Sequence, residues 1–294
     1  MSRDGAPPQA RTVWSRTALV LFVLAAAVGV LLLVIFTPAL VRLVTTNPLS
    51  DVHAYYDAAT RLNSGLPLYP TDIDVNASEY YRYPPLLAVA FRPLALLPFP
   101  VAAAAWEVLM AASLMVTIRM AGLRSTTILA VCALALPIAW SLALGQAQVL
   151  ITWLVAVASP FSVALAGQLK IFPALVALYF LGRRDWRWLR RFVTWSLALV
   201  ALQVVLEPAG SIAFLGIANL DQVGDIDNLS PYGFSPSLWA VLAVLGAAAT
   251  LALARTRFGW AAAVWYSTLV TPRLISYLVM ALLAALERRD GRAR

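Results

Sequence analysis

Four ionisable side chains stand inside apolar stretches of this 294-residue chain: Arg92, Glu107, Lys170 and Arg273. A charge in hydrocarbon is costly and persists only with a partner or a function. Arg92 and Glu107 lie at similar distances before and after a turn at Pro98–Pro100. A helical hairpin there would bring both to roughly 10–12 Å from its tip, where a structural ion pair accounts for them. Lys170 and Arg273 have no such acid. Counted back from Arg183 and Arg288, they sit about 20 and 22 Å from those arginines, at one common depth. Pro173 and Pro272 place a helix breaker beside each. Two readings stay open. The cations snorkel to the nearer interface, or they form an anion site suited to a phosphate whose lipid tail lies in the bilayer.

The acids nearest that depth follow the first apolar span. Ser50 to Gly65 reads as one helix, with Ser50 as N-cap and Gly65 as the left-handed residue that ends it. Val52, Tyr55, Tyr56, Ala59 and Leu62 recur at helical spacing. They give an amphipathic helix lying on the membrane surface. Asp57 falls opposite that stripe, with Arg61 as its i+4 partner, and reads as a solvated charge. Asp51 falls at the edge of the buried face, in the first turn, where the helix dipole favours an ionised carboxylate. It is either an ordinary first-turn acid or a general base. Asp72-Ile73-Asp74 has the spacing of a metal-diphosphate site but no nucleotide-binding context, so it reads as a loop feature. Asn76-Ala77-Ser78 is a glycosylation sequon.

The elements that must carry these residues follow from composition. The chain is 62% apolar and 12% charged, with a mean hydropathy of +0.80. A soluble domain and a disordered chain are both excluded, leaving a polytopic membrane protein. Its net charge of +8 comes from 22 basic residues, 21 of them Arg, gathered in short clusters between apolar runs. That pattern fits positive-inside topology and excludes a nucleic-acid face. One histidine and one cysteine exclude a multi-His or Cys-rich metal centre, so no metal and no cofactor are expected.

The fold class is all-α, a transmembrane bundle of about ten helices in a single domain. They fall near 17–41, 84–98, 101–120, 125–143, 146–159, 161–182, 192–208, 237–254, 257–270 and 273–287. Both termini are cytoplasmic. Arg42, Arg61, Arg82, Arg119 and Arg124 lie outside, and the Arg183–Arg191 cluster, Arg255, Arg257 and the terminal arginines lie inside. Two outer segments result, 42–83 with the amphipathic helix and 209–236. Stretch 125–182 is the weak part: its helices barely cross a ~30 Å core, and Gly145-Gln146 reads as a break inside the membrane. A small anion or lipid transporter is the rival reading, although no internal repeat is visible.

The same residues carry a resemblance. Asp51-Val52-His53-Ala54-Tyr55-Tyr56-Asp57-Ala58-Ala59, Gly65-Leu66-Pro67-Leu68-Tyr69 and Tyr83-Pro84-Pro85-Leu86 resemble the GT-C superfamily of polyprenyl-phosphate-sugar-dependent glycosyltransferases. So do Pro93-Leu94-Ala95-Leu96-Leu97-Pro98, Gly145-Gln146, Lys170 with Pro173, the Arg-rich 183–187 run, and Thr271-Pro272-Arg273 with Tyr277. The chain is most similar to bacterial alpha-mannosyltransferases related to those building phosphatidylinositol mannosides. The resemblance implies a multi-pass enzyme of the plasma membrane with its active site on the outer face. It implies a polyprenyl-phosphate sugar donor and a lipid or glycan acceptor. Asp51 would be the catalytic base, and Lys170 and Arg273 the donor phosphate ligands. His53, Tyr55, Tyr83 and Tyr277 would line the donor and acceptor pocket. A catalytically degenerate member of the family is a further alternative.

Overall fold

The computed structural model describes residues 16–70, 80–217 and 228–286. The DxD motif at 72–74, the sequon at 76–78 and the terminal arginines lie outside the described residues. Every regular element described is helical. The first, α1 (Arg16–Thr46), is an apolar rod of 31 residues, about 46 Å long, more than a ~30 Å hydrocarbon core requires. A short turn leads to α2 (Ser50–Asn63), which carries the aspartates. Then come α3 (Pro85–Phe91), a 3-10 turn at Leu94–Leu96, and α4 (Phe99–Ala121). The bent pair α5 (Ser125–Ala133) and α6 (Ala135–Leu144) turns by 62°. The remaining helices are α7 (Gln148–Val157), α8 (Pro160–Leu169), α9 (Ala177–Gly182), α10 (Trp186–Leu206), α11 (Pro208–Ile217), α12 (Pro236–Leu253) and α13 (Gly259–Leu269). A 3-10 segment, Ser276–Leu286, closes the chain described. By length and composition α1, α4, α10 and α12 can each cross a membrane, and the bent pair α5 with α6 is long and apolar enough, taken together, to count as a fifth. This is a polytopic helical membrane protein.

Directions follow from contacts. A Cβ on Gly29 would meet the carbonyls of Cys132 and Ala133, and the Leu49 N–H donates to the Ala143 carbonyl at 3.2 Å. So α5 and α6 run alongside α1 and in the same sense. Small-residue contact of this kind is how apolar helices approach closely without a hydrophobic driving force. Gly145 therefore arrives at the Asp51 end of the bundle, while Arg119 and Arg124 belong at the opposite end. The sequence reading assigned them to the Asp51 side, so the parity of stretch 98–160 is corrected. The cause is 84–98, which is not a span. Pro93 ends α3 after seven residues, and the 3-10 turn keeps the chain against α2, where the Tyr56 hydroxyl donates to the Leu97 carbonyl at 2.8 Å.

A second departure compensates for the first. Stretch 146–182 is not two crossings but a half-depth hairpin and a return. Helices α7 and α8 have ten residues each, about 15 Å, half of the core thickness. Both open ends lie at one level, because Lys170 after α8 donates to the side chains of Gln146 and Gln148 before and at the start of α7. The tip is fixed by a capping box in which Ser159 and Ser162 exchange side chain-to-backbone hydrogen bonds of 3.0 Å. The Trp188 indole donates to the Ala158 carbonyl there, so the tip sits at the depth of the first turn of α10. Trp188 also stacks flat on Phe180 of α9, 3.6 Å between centroids. The Arg-rich cluster around Arg183 thus lies at the level of the hairpin tip.

The expected Arg92–Glu107 ion pair does not form. Arg92, at the end of the shortened α3, is exposed and exchanges hydrogen bonds with Asn63 at the end of α2, 2.8 and 3.1 Å. Glu107 on α4 instead presses toward Gly145, and its Oε1 is buried without a hydrogen-bond partner.

Candidate active site

Helix α2 is positioned by both of its ends. Leu49, not Ser50, is its N-cap; it sits in the left-handed region, φ 55°, and makes no side-chain cap. The bond from its N–H to Ala143 ties that strained turn to the end of α6. At the other end Gly65, φ 69°, closes a Schellman motif in which Leu66 N–H reaches Arg61 and Gly65 N–H reaches Leu62. The apolar stripe is covered by the chain itself rather than by the membrane surface: Val52, Tyr55 and Ala59 are fully buried. Tyr55 meets Tyr83, Phe91 and Trp106 edge-on, with centroids 5.2 to 5.8 Å apart. Asp57 is exposed, as its position opposite the stripe predicts, and Asp51 is half-buried.

The break after α6 brings a second group to Asp51. Gly145 adopts φ 68°, and a Cβ there would lie 2.0 Å from Val52 Cγ2, so only glycine allows α2 and the break to meet. The Trp106 indole donates to the Gly145 carbonyl at 2.8 Å. That turn aims Gln146, which is completely buried. Its Nε2 donates to Asp51 Oδ2 at 3.0 Å. Its Oε1 accepts from the Tyr55 hydroxyl at 3.2 Å, from the Tyr83 hydroxyl, and from Lys170 Nζ at 3.4 Å. Reversing the amide would set Oε1 against the Asp51 carboxylate and Nε2 against the ammonium, so the network fixes its orientation. One neutral amide therefore holds the carboxylate at one end and the lysine at the other.

Lys170 reaches this point because α8 ends there in extended backbone. Besides Gln146 it donates to Gln148 Oε1 at 3.3 Å, and it lies 5.4 and 5.3 Å from the centres of the Tyr83 and Tyr277 rings. Amide oxygens and π faces hold an ammonium without neutralising it. Arg273, in the break between α13 and the final 3-10 segment, is half-buried and its Nε has no hydrogen-bond partner. Asp51 interacts electrostatically most strongly with Lys170, then with Arg82 and Arg273. Burial and the nearby Arg273 push the Arg82 guanidinium below its usual value. Burial, reinforced by Asp51, pushes the Tyr83 phenol well up, so it stays a neutral donor to Gln146. Three cations thus surround one carboxylate, a formal charge of +2, over a buried floor of Gln146, Gln148 and Tyr55. Such a cluster suits an anionic ligand.

The structure brings together Asp51, Lys170, Arg273, Tyr55, Tyr83 and Tyr277 from positions up to 226 residues apart. It does not bring His53, which turns to the other side of α2 and stacks on Phe99 at 3.7 Å. Sequence reasoning singled out Gln146 only as part of a break, and gave no role to Gln148 or Arg82. A pair of glutamines two apart in an apolar run, directly after a glycine, was the available signal.

Comparison with known proteins gives the chain its family. The model of glycosyltransferase family 87 matches residues 81–293, and the chain belongs to that family. The match includes Tyr83, Gln146, Lys170, Arg273 and Tyr277 and begins after Asp51. Among curated proteins the chain is similar to the polyprenol-phosphate-mannose-dependent alpha-(1-2)-phosphatidylinositol pentamannoside mannosyltransferase of Mycolicibacterium smegmatis. They are 29% identical over 205 residues, which are 63% of this chain and 49% of the relative. The chain spans about half the length of the curated relative it matches. No solved structure matches it.

Proposed function

We propose that the chain transfers a hexose, mannose, from a polyprenyl-phosphate donor to a lipid or glycan acceptor of the cell envelope. The observation that carries this reading is the amide bridge, with Asp51 at one end of Gln146 and Lys170 at the other. Asp51 takes the proton of an acceptor hydroxyl, whose oxygen attacks the anomeric carbon from the face opposite the phosphate. The bond from that carbon to the phosphate oxygen breaks with inversion. The phosphate goes from one negative charge to two, and Lys170 and Arg273 stabilise the charge that develops. Tyr277 and Tyr83 flank the lysine and shape the space above it. The fixed arrangement of base and cation supplies positioning before the substrates arrive.

Orientation is part of the proposal. Arg119, Arg124, the Arg183–Arg191 cluster, Arg255 and Arg257 belong to the end away from Asp51. The positive-inside rule then supports cytoplasmic termini, an active site on the outer face and a place in the plasma membrane. The relative's dependence on a polyprenol-phosphate-mannose donor supports the donor and the sugar.

The test is transfer by purified protein in detergent from radiolabelled polyprenyl-phosphate mannose to a membrane glycolipid extract. Wild type is expected to transfer, and Asp51→Asn to lose transfer while remaining folded. Wild-type-like turnover by Asp51→Asn would remove the base assignment. Donor affinity unchanged in Lys170→Ala and Arg273→Ala would remove the phosphate site.

A further inference from the structure

Arg273 sits in a segment that cannot hold itself. Helix α13 ends at Leu269 and the next regular turn begins at Ser276. Pro272, immediately before Arg273, has no N–H to offer a neighbour. The polar backbone between those elements needs outside partners. It finds them in the segment from Asn228 onward, which precedes α12. The Asn228 side chain donates from Nδ2 to the Pro272 carbonyl at 2.8 Å and accepts at Oδ1 from the Leu274 N–H at 2.8 Å. These two bonds fall on the residues directly before and after Arg273. The Oδ1 also accepts from the Ser230 N–H at 3.0 Å, which fixes the amide on its own chain. The Leu229 N–H adds a bond to the Leu274 carbonyl at 2.8 Å, and the Trp239 indole donates to the Val270 carbonyl at 2.9 Å.

The clamp opposes a definite force. Arg273 shares its surroundings with Lys170 and Arg82 as well as with Asp51, so before any anion binds it faces two like charges against one opposite charge. Its Nε stays buried and unpartnered, so no local hydrogen bond at that nitrogen holds the side chain back. We infer that Asn228 is a positioning residue of the glycosyl transfer site: by clamping the backbone on both sides of Arg273, it holds the guanidinium ready for the donor phosphate. This rests on the reading of Arg273 as a phosphate ligand. It makes the short stretch from Asn228 to α12 a part of the active site rather than a mere lead-in to that helix. A donor placed before the substrate arrives stabilises charge in the transition state without reorganising at the moment of reaction.

A double-mutant cycle tests it. kcat and KM for polyprenyl-phosphate mannose are measured with a fixed glycolipid extract for wild type, Asn228→Ala, Arg273→Ala and the pair. Asn228→Ala is expected to lower kcat/KM about 10-fold, the worth of one or two neutral hydrogen bonds. Its split between kcat and KM should follow that of Arg273→Ala. The double variant should be no worse than Arg273→Ala alone, because the clamp acts through a side chain already gone. Losses that multiply, or an Asn228→Ala at wild-type rate beside a defective Arg273→Ala, would overturn the inference. An Arg273→Ala at wild-type rate would instead overturn the phosphate assignment, and the clamp would have nothing to position. Asn228→Asp keeps both accepted bonds and loses only the one to Pro272. It replaces the alanine variant in the cycle if that protein does not fold.

Discussion

Replacing Gln146 by leucine removes the amide that joins the proposed base to the proposed phosphate ligand while keeping most of its volume. The bond from Nε2 to Asp51 Oδ2, 3.0 Å, is charge-assisted, and such bonds contribute about 1.5–3 kcal/mol. If that energy orients the carboxylate in the transition state, kcat/KM falls about 10- to 150-fold, at ~1.4 kcal/mol per decade. The same change leaves the buried Tyr55 and Tyr83 hydroxyls without their shared acceptor, about 1–3 kcal/mol each. The thermal midpoint should therefore fall as well. Gln146→Glu separates the two effects. It still offers oxygens to both tyrosines and to Lys170, but it loses the donor to Asp51 and sets a second carboxylate against it. Two acids at that spacing share a proton, so the base is disabled while the tyrosine pair keeps its acceptor. The assay is radiolabelled sugar transfer in detergent, with thermal unfolding of each variant in parallel. Both variants should be deeply impaired, and only Gln146→Leu clearly destabilised. Gln146→Glu turning over at the wild-type rate would refute the claim that this amide orients the base.

Three other expectations follow from packing. Gly145→Ala forces a Cβ at φ 68° to within 2.0 Å of Val52 Cγ2, so the yield of folded protein should drop sharply, with partial recovery in a Gly145→Ala, Val52→Ala double variant by size-exclusion profile. His53→Ala removes only a stacked contact with Phe99, so thermal stability should fall by about 0.5–1.5 kcal/mol with turnover within about twofold of wild type. Gly29→Val drives a side chain into the Cys132 carbonyl, 2.4 Å from where a Cβ would sit, and should part α1 from α5, read as a lower melting temperature in detergent.

The class of the molecule was legible because hydropathy acts residue by residue. The apolar runs of α4 and α12 stand within two residues of their expected bounds, while α1 runs five residues past its expected end and α10 begins six residues earlier. Asp51 was legible for a similar reason, since helical spacing alone separates it from Asp57. Long-range facts were less visible. Nothing local marks 85–91 as a short buried helix rather than the start of a span; that depends on α2 being there to receive it. Arg92 and Glu107 looked like a pair only while the hairpin between them was assumed. Gln146 was the hardest to read, because its role exists only where Gly145 turns it toward a helix some ninety residues earlier. Lys170 and Arg273 do both act on Asp51, but the count of their depth assumed straight α-helices where the structure has an extended residue and 3-10 turns, and Arg288 lies outside the described residues.

The half-depth hairpin has a consequence for the cell that carries the protein. A bilayer under an electrical potential tolerates no continuous water column, yet a cluster with three cations invites water to its own depth. Below that cluster the hairpin fills the bundle with Val149, Ile151, Leu154, Val155, Val163 and Ala166, all buried. Ions that reach the basic residues from one side meet a packed, mostly apolar plug roughly 15 Å thick before the other. The same hairpin that carries Lys170 to Asp51 thus also seals the space beneath them.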